Sequence, residues 1–158
     1  MVTWQAFETE APEQAGFGRE RIDRRVSFLA TVRGDGGPRV HPVTPWIVGG
    51  HLYVRMYVTS PKVADLERDP RFALHSMMDN DDGVGGEFAM HGRATRVLDA
   101  GMIAAAYALI GEFTDRPLAL FELGVDDVVI TEYLGEDIER RRWLARRPDH
   151  VEGRRSPA

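Results

Sequence analysis

The sequence predicts a mainly β domain, an antiparallel barrel of about six strands with helices on its outside. Three observations carry this. Short runs rich in Val, Leu, Thr, Phe and Tyr recur from Ser27 to Ser76, as strands require. Asp35-Gly36 and Gly49-Gly50 separate successive runs as hairpin turns, because both dipeptides tolerate the positive φ of tight turns. Two prolines, Pro42 and Pro45, interrupt one run and so exclude an unbroken central ladder there.

Taken in order, residues 1–26 read as an entry segment and one helix. Pro12 sits in its first turn, while Gly16 and Gly18 weaken it. Phe17, Ile22 and Val26 supply an apolar stripe, and Trp4 and Phe7 anchor the terminus. Ser27–Arg33 is the first strand, nearly continuous in apolar residues, which suits a strand covered on both faces or a barrel strand. Pro38–Val48 is the second, bulged or partly an edge. His51–Val58 is the third, with Tyr53, Arg55 and Tyr57 on one face and Leu52, Val54, Met56 and Val58 on the other. Ser60 and Pro61 then open a short helix as N-cap and first residue, and Asp69-Pro70 stops it.

Arg71–Ser76 and Glu87–Leu98 are further strands, and Gly92 marks a bulge in the second of them. The loop between them holds Asp79, Asp81 and Asp82 with Gly83. It lacks the alternating ligand order and terminal bidentate acid of a calcium loop, so no metal site is expected. Asp99 caps an Ala-rich helix that Gly111 ends. Two last strands follow at 118–123 and 127–133, then an Arg-rich tail, 137–147, containing Trp143. Residues 1–147 form one domain, and 148–158 a flexible tail.

Composition narrows the function. A chain of 158 residues, 43% hydrophobic and 28% charged, can bury its own core. Its net charge of −5 argues against general affinity for nucleic acid. No run approaches a membrane span, and the N-terminus does not read as a secretory signal. No cysteine is present, which removes disulfides, thiol catalysis and iron–sulfur ligation and suits the cytoplasm. P-loop and GxGxxG motifs are missing, as are metal-binding His pairs at helical spacing and a Ser/His/Asp set.

One residue stands out. Lys62 is the only lysine among 20 basic residues. It follows Ser60 at the start of a helix, and a hydroxyl, an ammonium and free helix N–H groups together make an anion site.

The order strand, DG turn, Pro38-Arg-Val-His-Pro-Val43, GG turn, strand, then Ser60-Pro-Lys-Val-Ala-Asp-Leu-Glu-Arg-Asp-Pro-Arg-Phe-Ala-Leu-His-Ser76 resembles the pyridoxamine 5′-phosphate oxidase-like, FMN-binding split-barrel superfamily. The resemblance resumes at Gly86-Glu-Phe-Ala-Met-His-Gly-Arg-Ala94. It implies an antiparallel split barrel with Greek-key connections, and a homodimer whose cofactor sites lie at the interface. It further implies FMN bound by the phosphate at Lys62 and Ser60. Arg39, Val40, His41, Pro42, Val43 and Thr44 would lie along the flavin, where a backbone freed by proline can meet the polar edge of a flat heterocycle. Arg55, Met56 and Glu87 complete the implied cofactor contacts.

Glu87 departs from the superfamily, which commonly has a side-chain amide there, since an ionised acid cannot donate a hydrogen bond. Relatives also bring an aromatic and basic C-terminal segment towards the cofactor, which makes Trp143 a further candidate. The function so implied is a flavin-dependent oxidoreductase acting on a small-molecule substrate, with catalytic residues unassigned. The alternatives are a deazaflavin (F420)-dependent reductase and a non-catalytic flavin- or haem-binding protein.

Overall fold

The computed structural model describes residues 1–78, 80–111 and 116–146. The flexible tail expected from Pro148 lies outside these residues. The N-terminus forms two helices rather than the expected one: α1 (Trp4–Glu10) and α2 (Pro12–Ile22). Thr3 caps α1 by accepting from the Ala6 amide at 3.3 Å. Ala11, in a non-helical conformation and followed by Pro12, separates the two. This segment is core, not entry. Trp4 and Phe7 are fully buried, meet edge to face at 5.3 Å, and join Phe88.

Eight strands follow: β1 (Ser27–Val32), β2 (Pro38–Val43), β3 (Pro45–Val48), β4 (His51–Tyr57), β5 (Arg71–Ser76), β6 (Glu87–Arg96), β7 (Leu118–Leu134) and β8 (Asp137–Leu144). Helix α3 (Pro61–Arg68) joins β4 to β5, and α4 (Ala100–Ile110) joins β6 to β7. The strands form one sheet in the order β2-β1-β5-β6-β7-β4-β3, with β8 beside β7, and every pairing is antiparallel. β2 and β3 stand at opposite ends of this path, yet Thr44 alone joins them. The sheet must therefore curl until its ends meet, and the seam falls where Pro42 and Pro45 interrupt the hydrogen-bonding ladder. That is a split barrel.

The strand count exceeds the sequence expectation for two reasons. The run 38–48 is two strands with different partners, β2 on β1 and β3 on β4. The Arg-rich tail, expected to be solvated or turned to the cofactor, is β8. Its basic side chains pair across the strand, Arg142 to Asp127 at 2.9 Å and Arg141 to Glu132. The two strands expected at 118–123 and 127–133 are in turn one strand, β7. Gly124, Val125 and Asp126 are not a turn: pairing with β6 continues on both sides of a bulge at His91/Gly92, where Asp126 is the extra residue. The bulge is where Gly92 suggested it.

Alternation along the strands fills the barrel with Leu29, Leu52, Val54, Leu74, Phe88, Met90, Phe121, Leu123 and Ile130. A smaller cluster of Tyr53, Val97, Ala106, Ile110 and Leu120 lies beneath α4. Among the described residues no helix is long and apolar enough to cross a membrane.

The two α2 glycines differ in kind. A Cβ on Gly18 would sit 2.4 Å from the buried Phe88 ring, whereas one on Gly16 would meet nothing within 4 Å. Gly18 lets the helix approach the sheet; Gly16 only weakens the helix. Gly16→Ala is therefore expected to stabilise the protein by about 1 kcal/mol, and Gly18→Ala to destabilise it by roughly 1–3 kcal/mol through overpacking. Thermal unfolding of the two variants checks both signs.

Candidate functional site

The seam opens into a cleft of about 440 Å3, lined by Val26, Pro42, Val43, Thr44, Trp46, Arg55, Met56, Tyr57, Lys62 and Leu118. Of the residues singled out from the sequence, Pro42, Val43, Arg55, Met56 and Lys62 meet here. Their convergence follows from the topology. The partner switch at Thr44 supplies one wall, the end of β4 the second, and the start of α3 the floor.

Lys62 is the centre of the cleft's electrostatics. It is part-buried, and its ammonium has no hydrogen bond or acidic partner among the described residues. Burial pushes its pKa down, because a cation loses hydration there. Ser60 is the N-cap of α3, as the sequence predicts, but its hydroxyl makes no cap hydrogen bond. Both residues belong to the first turn of a helix whose dipole favours an anion, but only Lys62 lines the cleft; Ser60 does not.

His41 lies inward on β2, and its Nε2 is buried with no hydrogen-bond partner. Burial, then the positive charges of Lys62 and Arg39, holds its pKa below the ordinary histidine value, against a smaller opposing effect of Asp65. An anion bound near Lys62 would relieve that repulsion.

Arg55 has a structural partner. Its Nη1 donates to the carbonyl oxygen of Gly111, the C-cap of α4, at 2.5 Å, and its guanidinium lies 5.1 Å from the Trp46 ring. A cation at a helix C-terminus is favourable, so Arg55 ties α4 to the cleft wall.

Arg39 is engaged outside the cleft. Its Nε donates to Asp65 Oδ2 at 2.7 Å, and Thr31 Oγ1 donates to the same oxygen at 3.0 Å. Arg68 Nη2 reaches Asp65 Oδ1 at 3.3 Å. The Asp65 side chain is only 5% exposed. Burial pushes its pKa up, but the three hydrogen bonds outweigh this and the net shift is downward. Asp65 therefore fastens α3, and with it Lys62, to β1 and β2.

A carboxylate whose folded pKa is depressed adds stability above its unfolded value of about 3.9, and loses it as pH falls through the folded value. Asp65→Asn is thus expected to cost about 2 kcal/mol at pH 7. The gap between variant and parent in urea unfolding should narrow below about pH 4.

Val40 and Glu87 lie away from the cleft. Val40 is 60% exposed on the outer face of β2. Glu87 starts β6, where it accepts a hydrogen bond from the Tyr133 hydroxyl and has His75 Nε2 at 3.5 Å. Trp143 is also elsewhere: it packs on Phe7 at 4.7 Å, closing the barrel beneath α1.

Sequence reasoning missed Trp46 as a wall of the cleft. Its indole is flanked by two guanidiniums, Arg55 and, at 5.2 Å, Arg24. Arg24 holds a left-handed backbone (φ 57°), and its amide donates to the Pro45 carbonyl at 2.8 Å. The signal available was an aromatic residue directly after the second proline of the broken strand.

No family model matches the chain, and no curated protein does. Solved structures do match. A pyridoxamine 5′-phosphate oxidase-related, FMN-binding protein from Nostoc punctiforme PCC 73102 superposes with a TM-score of 0.67 at 16% identity, covering 89% of this chain and 91% of that one. A haem-binding protein from Mycobacterium smegmatis gives 0.61 at 21% identity over 82% of this chain, which spans 58% of that protein. An F420 reductase gives 0.54 at 17% identity, covering 70% of this chain and 94% of that one. At these identities the likeness is one of fold. With the seam at Thr44 and the eight antiparallel strands, it gives the chain the pyridoxamine 5′-phosphate oxidase-like split-barrel fold.

Proposed function

We propose that the chain is an FMN-binding oxidoreductase whose flavin phosphate is held by Lys62 and Ser60 and whose ring lies along Pro42 to Thr44 in the seam. The observation that carries this reading is Lys62, a part-buried cation with no acidic partner among the described residues, at a helix N-terminus in the seam cleft. Burying a charge without a counter-charge is costly, and a phosphate removes that cost through charge-assisted hydrogen bonds. When bound, a flavin supplies the hydride and electron chemistry. The protein's own residues orient it: the Pro42 and Pro45 breaks free backbone groups, and Met56, Val43 and Leu118 form an apolar wall that excludes water.

A second copy of the chain completes the site in this reading. Phe28 is 39% exposed and pairs with Pro42, and Ala30 pairs with Val40. With Ala73 and Ala89, and with His75 and His91 among them, these residues make an outward face of mainly small and apolar side chains, which self-association could cover. Glu87 lies on that same face, so it would reach a flavin in the partner's cleft and not in its own. Val40→Asp is expected to yield a monomer by sedimentation equilibrium with weakened FMN binding; a monomer that binds as tightly as the parent would put the whole site in one chain.

The reaction class is tested by adding a nicotinamide donor to the FMN-loaded protein without oxygen. Bleaching of the flavin, reversed by an acceptor, supports an oxidoreductase. Bound flavin that is never reduced makes the protein a binding module. The Lys62 anchor suits the phosphate of F420 equally, so a preference for that cofactor would shift the assignment to a deazaflavin-dependent reductase. A haem spectrum abolished by one His substitution would instead indicate haem binding.

A further inference from the structure

Helix α2 ends at a position where glycine is the usual residue. Asp23 is its C-cap, and Arg24 beyond it holds a left-handed backbone with a φ of 57°. Among the described residues every other positive φ belongs to a glycine, because a Cβ makes that conformation costly. Two hydrogen bonds hold the segment in place. The Arg24 amide donates to the Pro45 carbonyl and the Ile47 amide donates to Asp23 Oδ1, each at 2.8 Å. The chain thus keeps an arginine where its backbone favours glycine, and strain of this kind points to a task for the side chain.

The same clamp places that side chain. The Arg24 guanidinium lies 5.2 Å from the Trp46 ring, and Trp46 and Val26, two residues further along, both line the seam cleft. Arg24 therefore stands at the lip of the cleft. It is exposed, and no carboxylate among the described residues pairs with it. The charged residues that line the cleft are Lys62 and Arg55, with neither Asp nor Glu beside them, although the whole chain carries a net charge of −5. A cleft lined by one sign of charge concentrates ligands of the other. Lys62 answers to the flavin phosphate, and Arg55 is tied to the Gly111 carbonyl. Arg24 is left for the second reactant, and the planar fork of a guanidinium matches a carboxylate.

We propose that Arg24 selects the substrate of the seam, a small molecule whose carboxylate is held by the Arg24 guanidinium and whose apolar body lies against Trp46 and Val26. The proposal rests on the flavin reading for calling this molecule a substrate, but the binding itself can be read without flavin.

Benzoate and its neutral isostere benzamide, titrated into the full chain with and without FMN and followed by NMR, test it. Benzoate is expected to saturate, with shifts centred on Arg24, Val26 and the Trp46 indole, and to bind roughly ten-fold more tightly than benzamide. That preference should survive Lys62→Met and disappear in Arg24→Gln. Arg24→Gly should also lose it while unfolding about 4 °C higher than the parent, since a merely structural arginine would not cost stability. Equal affinity for the two probes, or a preference retained in Arg24→Gln, would overturn the proposal. If FMN binds and benzoate shows no preference, the Arg24 proposal alone fails; if FMN does not bind and the preference is present, the flavin reading alone fails.

Discussion

Lys62→Met is expected to weaken the proposed FMN binding by roughly 10- to 100-fold, the worth of about 1.5–3 kcal/mol for hydrogen bonds to a charged group, while leaving the unliganded protein at least as stable as the parent. The two halves have one cause. Burial lowers the Lys62 pKa, so at neutral pH its charged form is less favourable in the folded chain than in the unfolded one. Methionine keeps the apolar stem that packs in the cleft and removes the charge, so folding loses nothing and phosphate binding loses its counter-ion. A residue that costs stability and strengthens a ligand is the pattern expected of a binding site rather than of a scaffold. Isothermal titration for affinity and thermal unfolding without ligand check the two parts separately. A variant that binds FMN normally removes Lys62 from the site, whatever its stability.

Gly92→Ala has the largest expected effect on folding. A Cβ at this position would lie 1.8 Å from the Gly124 carbonyl oxygen and 3.3 Å from the Phe72 ring. The obstacle is backbone of β7 on the far side of the bulge, and no rotamer change can move it. We expect a loss of at least about 3 kcal/mol, a large share of the roughly 5–15 kcal/mol that holds a domain together. Gly124→Ala is the informative control. Its Cβ would meet the Met1 side chain, with Sδ at 2.6 Å, and a flexible terminal side chain can give way. That variant should lose no more than about 1 kcal/mol. Equal losses in the two would show that the bulge tolerates a side chain and that the close approach at Gly92 is not structural.

Legibility of the fold in the sequence followed the physics of each element. Pro42 and Pro45 announced the broken strand because a missing N–H cannot be hidden by context. Gly92 announced the bulge for a similar reason, with no side chain to compete with the crossing backbone. Helix α1 went unread although Thr3 caps it, because seven residues are too few to show a helical period. Strand β8 was masked by its Arg run: most of its residues are exposed on both faces, so no two-residue alternation of polarity exists to be read. Gly124 looked like a turn, and only the continuing ladder on β6 shows that it belongs to one long strand.

The site was partly legible on the same terms. Lys62, which lines the cleft, could be found from local chemistry alone, as an ammonium at a helix start; Ser60, chosen on the same ground, is not among the lining residues. Trp46, Val26 and Leu118 enter the cleft only through the closure of the barrel, and sequence spacing carries no trace of that. Arg39 shows the converse limit. Its position suggested a cofactor contact, and the structure shows its charge committed to Asp65, a residue 26 positions away that local reading could not supply.

The most direct test of the account compares FMN with riboflavin in titrations of the purified full-length chain. The two share the ring and differ in the phosphate. If the seam holds a flavin through Lys62 and Ser60, FMN binds at one per chain and riboflavin at least about ten-fold more weakly, and Lys62→Met abolishes the difference. Equal affinity for the two, or no binding of FMN, would contradict the assignment of the seam as a flavin phosphate site.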